Sequence, residues 1–171
     1  MRAVPTPLIA LLLATWLAGC GSFAAPGGGA PDRPNNPKAI APIAIVAQGA
    51  GPAGEYRVWA YHTSDGMACV EVGSKAGVSS GCDPAADRPL GGGVNRSDGG
   101  VIAWADTGAA SAASAVVRDS TGANVTVALI DVGPSLAGIK VAVANLGPSA
   151  NPVSIDFLDA TGAKVDSVTF R

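Results

Sequence analysis

The chain has 171 residues and a formal charge of −2, with 11 Lys and Arg residues against 13 Asp and Glu residues. This weak and mixed charge argues against a nucleic-acid-binding protein, because neutralising phosphates requires a basic surface. After a short apolar N-terminal segment, the remaining length fits one domain.

The first 19 residues have the layout of a signal peptide. One cation, Arg2, precedes an apolar run of 11 residues at positions 8–18. The run is too short for a transmembrane helix, which needs roughly 20 apolar residues. A single Arg favours the general secretory route over the twin-arginine route. We therefore expect residues 1–19 to be removed on export.

Cys20 ends the sequence Leu17-Ala18-Gly19-Cys20, which resembles the lipobox of bacterial lipoproteins. The resemblance covers residues 1–21 and implies cleavage before Cys20, acylation of its thiol and amine by fatty acids such as palmitate, and anchoring in a membrane. Stable anchoring requires at least two acyl chains, because one chain binds only reversibly. The alternatives are an ordinary secretory peptide with a cysteine near its cleavage site, or a buried helix.

The overall composition, rich in Ala, Gly, Val and Pro, is typical of a GC-rich genome and indicates an actinobacterial source. The lipid-anchored protein would then lie on the outer face of the plasma membrane. In a Gram-negative cell it would instead lie in the outer membrane or on the periplasmic face.

Residues 20–38 form the predicted acylated N-terminus and tether. The stretch is rich in Pro, Gly, Ala and Asn, so it cannot form a helix or bury a core of its own, and we expect it to be disordered. As a flexible chain, residues 21–38 span roughly 23 Å on average, and at most about 56 Å as polyproline II. The folded domain is expected at 39–171, and its first strand contains Ile43 and Ile45.

Cys69 and Cys82 remain as a pair once Cys20 is acylated. Thiols outside the cytosol tend to oxidise, so we predict a disulfide between them. Closing this loop of about 14 residues contributes about 3 kcal/mol in the chain-entropy model. A metal site is the alternative, but two cysteines and the distant His62 lack the ligand number and spacing of a zinc site. We expect no metal and no cofactor.

Alternating apolar and polar residues dominate the folded part and indicate half-buried strands separated by short turns. Seven to eight short strands predict an all-β, antiparallel β-sandwich that resembles immunoglobulin-like domains. The two cysteines are too close in sequence for the usual inter-sheet bridge of that family. Three alternating stretches carry the prediction: Val125, Val127 and Leu129; Ile139, Val141 and Val143; Val153, Ile155 and Phe157.

Two segments, 119–125 and 159–165, are identical at five of seven positions. Each begins with Asp and has Gly at the fourth position, which suits a type I turn capped by the Asp side chain and followed by a left-handed Gly. Convergent hairpin chemistry and internal duplication of two strands both explain the match.

The sequence contains no recognisable catalytic constellation. His62 is the only histidine and lies beside a predicted turn, where a solvated side chain is the simplest interpretation. No nucleophile elbow, phosphate-binding loop or zinc-protease motif is present. Most Asp residues fall at turns or strand ends, where capping accounts for them. We expect a non-enzymatic protein, and an envelope hydrolase using His62 or an Asp pair is the alternative.

Arg57, Trp59 and Tyr61 alternate and therefore share one face of a predicted strand. An exposed aromatic pair there could stack on a sugar or a peptide, which makes these residues a candidate recognition surface. The alternative is that Trp59 and Trp104 belong to the core. The polar stretch 73–100, interpreted as a long loop, is the other candidate surface. We expect a binding or structural module whose partner is an envelope protein or polymer. A solute-binding lipoprotein is a further alternative.

Overall fold

The computed structural model describes residues 30–84 and 91–171, which form eleven strands and one short 3-10 helix, Gly133–Leu136. The predicted signal peptide, Cys20 and tether residues up to 29 lie outside the described residues. The strands in chain order are β1 (Ala39–Gly51), β2 (Gly54–Thr63), β3 (Met67–Ser74), β4 (Gly77–Pro84), β5 (Gly92–Ser97), β6 (Gly100–Thr107), β7 (Ser114–Asp119), β8 (Asn124–Asp131), β9 (Lys140–Leu146), β10 (Pro152–Leu158) and β11 (Lys164–Thr169).

The strands form two antiparallel sheets, so the prediction of an all-β antiparallel sandwich is confirmed. Sheet A has the order β1-β2-β3-β4, and sheet B has the order β11-β10-β7-β8-β9-β6-β5. The predicted number of seven to eight strands is wrong. One reason is that the stretch 73–100, interpreted as a loop, contributes β4 and β5. Their half-buried polar and Gly-rich sequences carry little apolar alternation.

Sheet B bends along β8. The first part of this strand pairs with β7 as far as Ala128, and from Leu129 onward it pairs with β9. The bend brings the half containing β7, β10 and β11 over the half containing β5, β6 and β9. Together with sheet A, the described residues therefore form three layers.

Strand β6 lies in the middle layer between two apolar cores. Its Trp104 packs in one core with Val70 of sheet A. The neighbouring Ala103 belongs to the second core, with Phe157 of β10. Every residue of β6 is buried. A strand covered on both faces has no need for polar alternation, which explains the continuous apolar run 101–105 within β6.

The alternation predicted along β9 and β10 is confirmed. Val141 and Val143 share the core that faces sheet A. Ile155 and Phe157 share the second core. Val153, at the start of β10, remains 38% exposed, so the alternating pattern extends beyond the buried part of that strand.

The two similar segments, 119–125 and 159–165, form the tips of the β7–β8 and β10–β11 hairpins. In both, the first carboxylate accepts a hydrogen bond of 2.8 Å from the backbone N–H two residues later. The following glycines have left-handed φ angles of 86° and 85°. The prediction of capped type I turns is therefore confirmed.

The strands that precede the two similar turns lie side by side. Strands β7 and β10 are neighbours, with Ala115 opposite Phe157 and Val117 opposite Ile155. The β10–β11 ladder has a bulge between Phe157 and Leu158, whereas the β7–β8 ladder has none, so the two hairpins differ in register away from their turns. Convergent turn chemistry and internal duplication are both compatible with this arrangement.

The Cys69–Cys82 disulfide is present and joins neighbouring strands of sheet A. Immunoglobulin domains place their bridge between the two sheets and connect strands as a Greek key. Sheet A is instead a simple meander of consecutive hairpins. Among the described residues, no helix is long and apolar enough to cross a bilayer.

Candidate functional site

Residues 30–38, here called the strap, lie across the outer face of sheet A, on the side away from the core. Ala30 and Pro34 are buried in this contact. The sequence predicts a disordered tether over residues 20–38. For residues 30–38 this prediction is wrong, because they pack on the sheet. A Pro-rich segment cannot bury a core of its own, but its rings and backbone can pack on a surface that the sheet supplies.

Arg57 of β2 fixes the first part of the strap. Its Nη1 donates hydrogen bonds to the carbonyl oxygen of Pro31 at 2.9 Å and to that of Ala30 at 3.4 Å. It also forms an ion pair with Asp32, whose side chain is 94% exposed. An ion pair so open to solvent stabilises little, so the backbone contacts position the strap.

Trp59 and Tyr61 lie under the strap and are only 1% and 0% exposed. They share the outer face of sheet A with Arg57, as the alternation predicts. The prediction that these residues form an exposed aromatic recognition surface is nevertheless wrong, because Trp59, Tyr61 and Cys69 form a small buried cluster there. Trp59 and Trp104 are both buried, as the alternative interpretation has it.

Gly73 provides the space that Trp59 occupies. A Cβ atom at this position would lie 2.6 Å from the Trp59 ring and 3.2 Å from Cδ of Pro31. The indole therefore lies directly over the β3 backbone, with the strap next to it. Glycine inside a strand often marks such a close approach. This sequence signal could have indicated the covered face.

Glu71 is a buried carboxylate, 1% exposed, beneath the same strap. Its Oε2 accepts a hydrogen bond of 2.7 Å from the Tyr61 hydroxyl, and its Oε1 accepts one of 2.6 Å from the backbone N–H of Asn35. Burial and the neighbouring carboxylate raise the pKa of Tyr61, which keeps the phenol protonated as a donor. The sequence shows Glu71 only as one of two glutamates, and nothing in it indicates this role.

The disulfide also contacts the strap. Its Cα atoms are 4.2 Å apart, and the Asn36 side-chain amide lies 3.9 Å from Sγ of Cys82 as a hydrogen-bond donor. The bridge thus holds β3 and β4 together at the place where the strap crosses them.

In the second half of the chain, two carboxylates, those of Asp156 and Asp166, make hydrogen bonds that stabilise the fold. Asp156 accepts hydrogen bonds from Arg118 and Ser167. Burial opposes ionisation of Asp156, but these partners outweigh burial and lower its pKa. Asp166 accepts a 2.8 Å hydrogen bond from the Thr107 hydroxyl. Within residues 30–84 and 91–171, no group of three His, Cys, Asp or Glu side chains could hold a metal ion.

His62, the residue of the hydrolase alternative, lies at the end of β2 opposite Ile40 of β1. It is half-buried. The absence of a catalytic role for His62 stays a prediction.

An open cleft of about 480 Å³ lies where three hairpin tips meet. The β1–β2, β3–β4 and β5–β6 turns supply its walls. Lys75 and Arg96 contribute two cations, and Asp98 contributes one carboxylate. The residues lining the cleft are Pro52, Ala53, Gly54, Lys75, Ala76, Arg96, Ser97, Asp98 and Gly99. Most of them fall in the stretch 73–100 that the sequence singles out for recognition.

Arg96 is held in position at the cleft. Its guanidinium donates to the carbonyl of Ala150 at 3.1 Å and to Oδ1 of Asn151 at 2.7 Å. Lys75 is exposed at the tip of the β3–β4 hairpin. One hydrogen-bonded and one exposed cation in an open, polar cleft suit a ligand that carries anionic groups. Comparison with known protein families, curated proteins and solved structures finds no match to this chain.

Proposed function

We propose that this protein is a lipid-anchored, non-enzymatic binding or structural module outside the plasma membrane. The observation that carries the proposal is the division of its three cysteines. Cys20 ends the lipobox-like sequence, and Cys69 and Cys82 form a disulfide inside the folded domain. Structural disulfides are typical of proteins outside the cytosol, where lipoproteins also mature.

The hairpin-tip cleft is the proposed binding surface. It is open, which suits an extended polymer or a protein loop better than an enclosed small molecule. Its cations, Lys75 and Arg96, suit a partner with carboxylate or phosphate groups. We therefore expect an anionic envelope polymer or an acidic segment of an envelope protein to bind there.

The anchor is tested by replacing Cys20 with Ala in cells supplied with an alkyne-labelled fatty acid. The full chain should lose both the label and membrane retention in C20A. The matched control is C69A/C82A, which removes the disulfide and should keep the label. Normal labelling and membrane retention in C20A would disprove lipid anchoring.

The binding surface is tested by photo-crosslinking in intact cells. A photoreactive residue at Ala76 lies in the cleft, and the same residue at Ala160 lies in the exposed β10–β11 turn as a control. We expect a partner to be captured from position 76 and not from 160, and K75E to weaken that capture. Equal capture from both positions would contradict the assignment of the cleft.

A further inference from the structure

Strand β1, an edge strand of sheet A, carries three exposed isoleucines. Ile45 lies opposite Trp59 on the outer face of the sheet, whereas Ile40 lies opposite His62 on the other face. Ile40, Ile43 and Ile45 are 46%, 41% and 52% exposed. The surrounding stretch, 39–54, contains no charged residue. Exposed apolar edge strands are normally blunted by charges or covered by a partner. Lys38 lies at one end of this edge, but within 39–54 no charge interrupts it, and about half of each isoleucine side chain is left exposed by the described residues.

The backbone of β1 is a poor template for another strand. Its pairing with β2 shifts register twice, between Ile40 and Ala44 and again between Ile45 and Ala47. Pro42, between these points, has no backbone N–H to donate. A second copy or a peptide strand would therefore meet an interrupted ladder. A partner that covers the side chains without requiring strand pairing fits this edge better.

The length of chain before the strap favours a lipid surface as that partner. Ala30 follows Cys20 by ten residues, a length of chain that can span at most about 36 Å. The strap is fixed to sheet A by Arg57 and Glu71, so this short segment sets the distance from the anchor. The strap continues directly into β1.

We propose that β1 meets the membrane surface edge-on, with Ile40 on one side of the edge and Ile45 on the other, and with Ile40, Ile43 and Ile45 at the level of the lipid headgroups. This inference rests on the proposed acylation of Cys20. Insertion is shallow, because the unpaired backbone groups of an edge strand must stay within reach of water or headgroups. The acyl chains supply the affinity, and the isoleucines set the orientation of the domain.

Fluorescence quenching by brominated lipids tests the orientation. The acylated full chain is reconstituted in vesicles of phosphatidylethanolamine and phosphatidylglycerol, with and without bromine on the acyl chains. The variants I43W and I45W place a reporter on the β1 edge. V153W is the matched control, because Val153 is a 38% exposed residue of β10 in another layer.

We expect bromolipid quenching of I43W and I45W to exceed that of V153W several-fold. Replacing all three isoleucines by Ser should leave acylation and vesicle binding intact but make the 39–51 segment more accessible to protease. Quenching of I43W and I45W equal to that of V153W in an acylated, vesicle-bound protein would overturn the orientation alone. A mature chain whose mass shows no acyl groups would overturn both the anchor and the orientation.

Discussion

The hydroxyl of Tyr61 donates a 2.7 Å hydrogen bond to Oε2 of Glu71, and both side chains are buried under the strap. The other oxygen of Glu71 accepts the backbone N–H of Asn35. A buried carboxylate thus connects β2, β3 and the strap. Its two hydrogen bonds give each of its oxygens a donor, as a buried polar group requires.

Removing the Tyr61 hydroxyl should leave one oxygen of Glu71 without its donor. We expect Y61F to lower the free energy of unfolding by about 1–3 kcal/mol, the usual cost of an unsatisfied buried polar group. Urea denaturation of the mature domain measures this change. Y56F is the control, and it should lie close to wild type because Tyr56 is not a donor to Glu71. A Y61F variant as stable as wild type would show that water or another donor replaces the hydroxyl.

Stability should also depend on alkaline pH through Tyr61. Its pKa is raised in the folded state above the ordinary value of 10.0 by burial and by the Glu71 carboxylate. Above pH 10 the unfolded chain releases this proton more readily than the folded chain, so stability is full below pH 10 and falls as pH rises. Y61F should show a shallower loss of stability between pH 10 and 11. Identical slopes for the two proteins would contradict the assignment.

Loss of the disulfide should destabilise the domain. We expect C69A/C82A to lower the free energy of unfolding by about 3 kcal/mol, because the unfolded chain regains the entropy of an open loop. Reduction of the wild-type protein under the same conditions should give a comparable loss. Mass spectrometry after alkylation without reductant provides the direct check. Labelling of both cysteines would refute the bridge.

Arg57 should control how tightly the strap is held. R57A removes the donor to the Pro31 and Ala30 carbonyls, so residues 30–38 should exchange their amide hydrogens faster. In a W104F background, where Trp59 is the tryptophan of the mature domain, its fluorescence should shift to longer wavelength in R57A. R57K is the matched control. Because lysine keeps a cationic donor at this position, R57K should show smaller changes in exchange and fluorescence than R57A. Unchanged exchange and unchanged fluorescence in R57A would show that other contacts hold the strap.

A methyl group at position 73 should displace the indole that covers it. The added Cβ of G73A would lie 2.6 Å from Trp59, and overpacking of this kind costs roughly 1–3 kcal/mol. G147A is the control, since a Cβ there meets nothing within 4 Å. Thermal denaturation should separate the two variants clearly. Equal melting temperatures would mean that the outer face rearranges without cost.

The features that sequence predicts here depend on neighbouring residues. The capped turns at Asp119 and Asp159 follow from four consecutive positions, and the alternation along β9 and β10 follows from a period of two. The disulfide follows from the number of cysteines that remain after Cys20. Each of these features can therefore be predicted from a few neighbouring residues or from the number of cysteines.

The strap and its site depend on residues far apart in the chain. Composition shows that residues 30–38 cannot form a core of their own, but not that sheet A offers them a surface. Asn35 and Glu71, which meet there, are 36 positions apart. The sequence predicts a two-layer sandwich and not three layers for a related reason. The apolar sequence of β6 shows that it is buried, but not that a second core covers its other face.

The bend in β8 determines which strands of the domain unfold together. One continuous strand is hydrogen-bonded to β7 in the outer layer and to β9 in the middle layer. These two layers therefore cannot separate without breaking one of the two ladders of β8. Sheet A shares no strand with them and is joined through side-chain packing and loops. Native-state hydrogen exchange should thus divide the molecule into two cooperative units, with the slowest amides in the unit that contains β6 and β9.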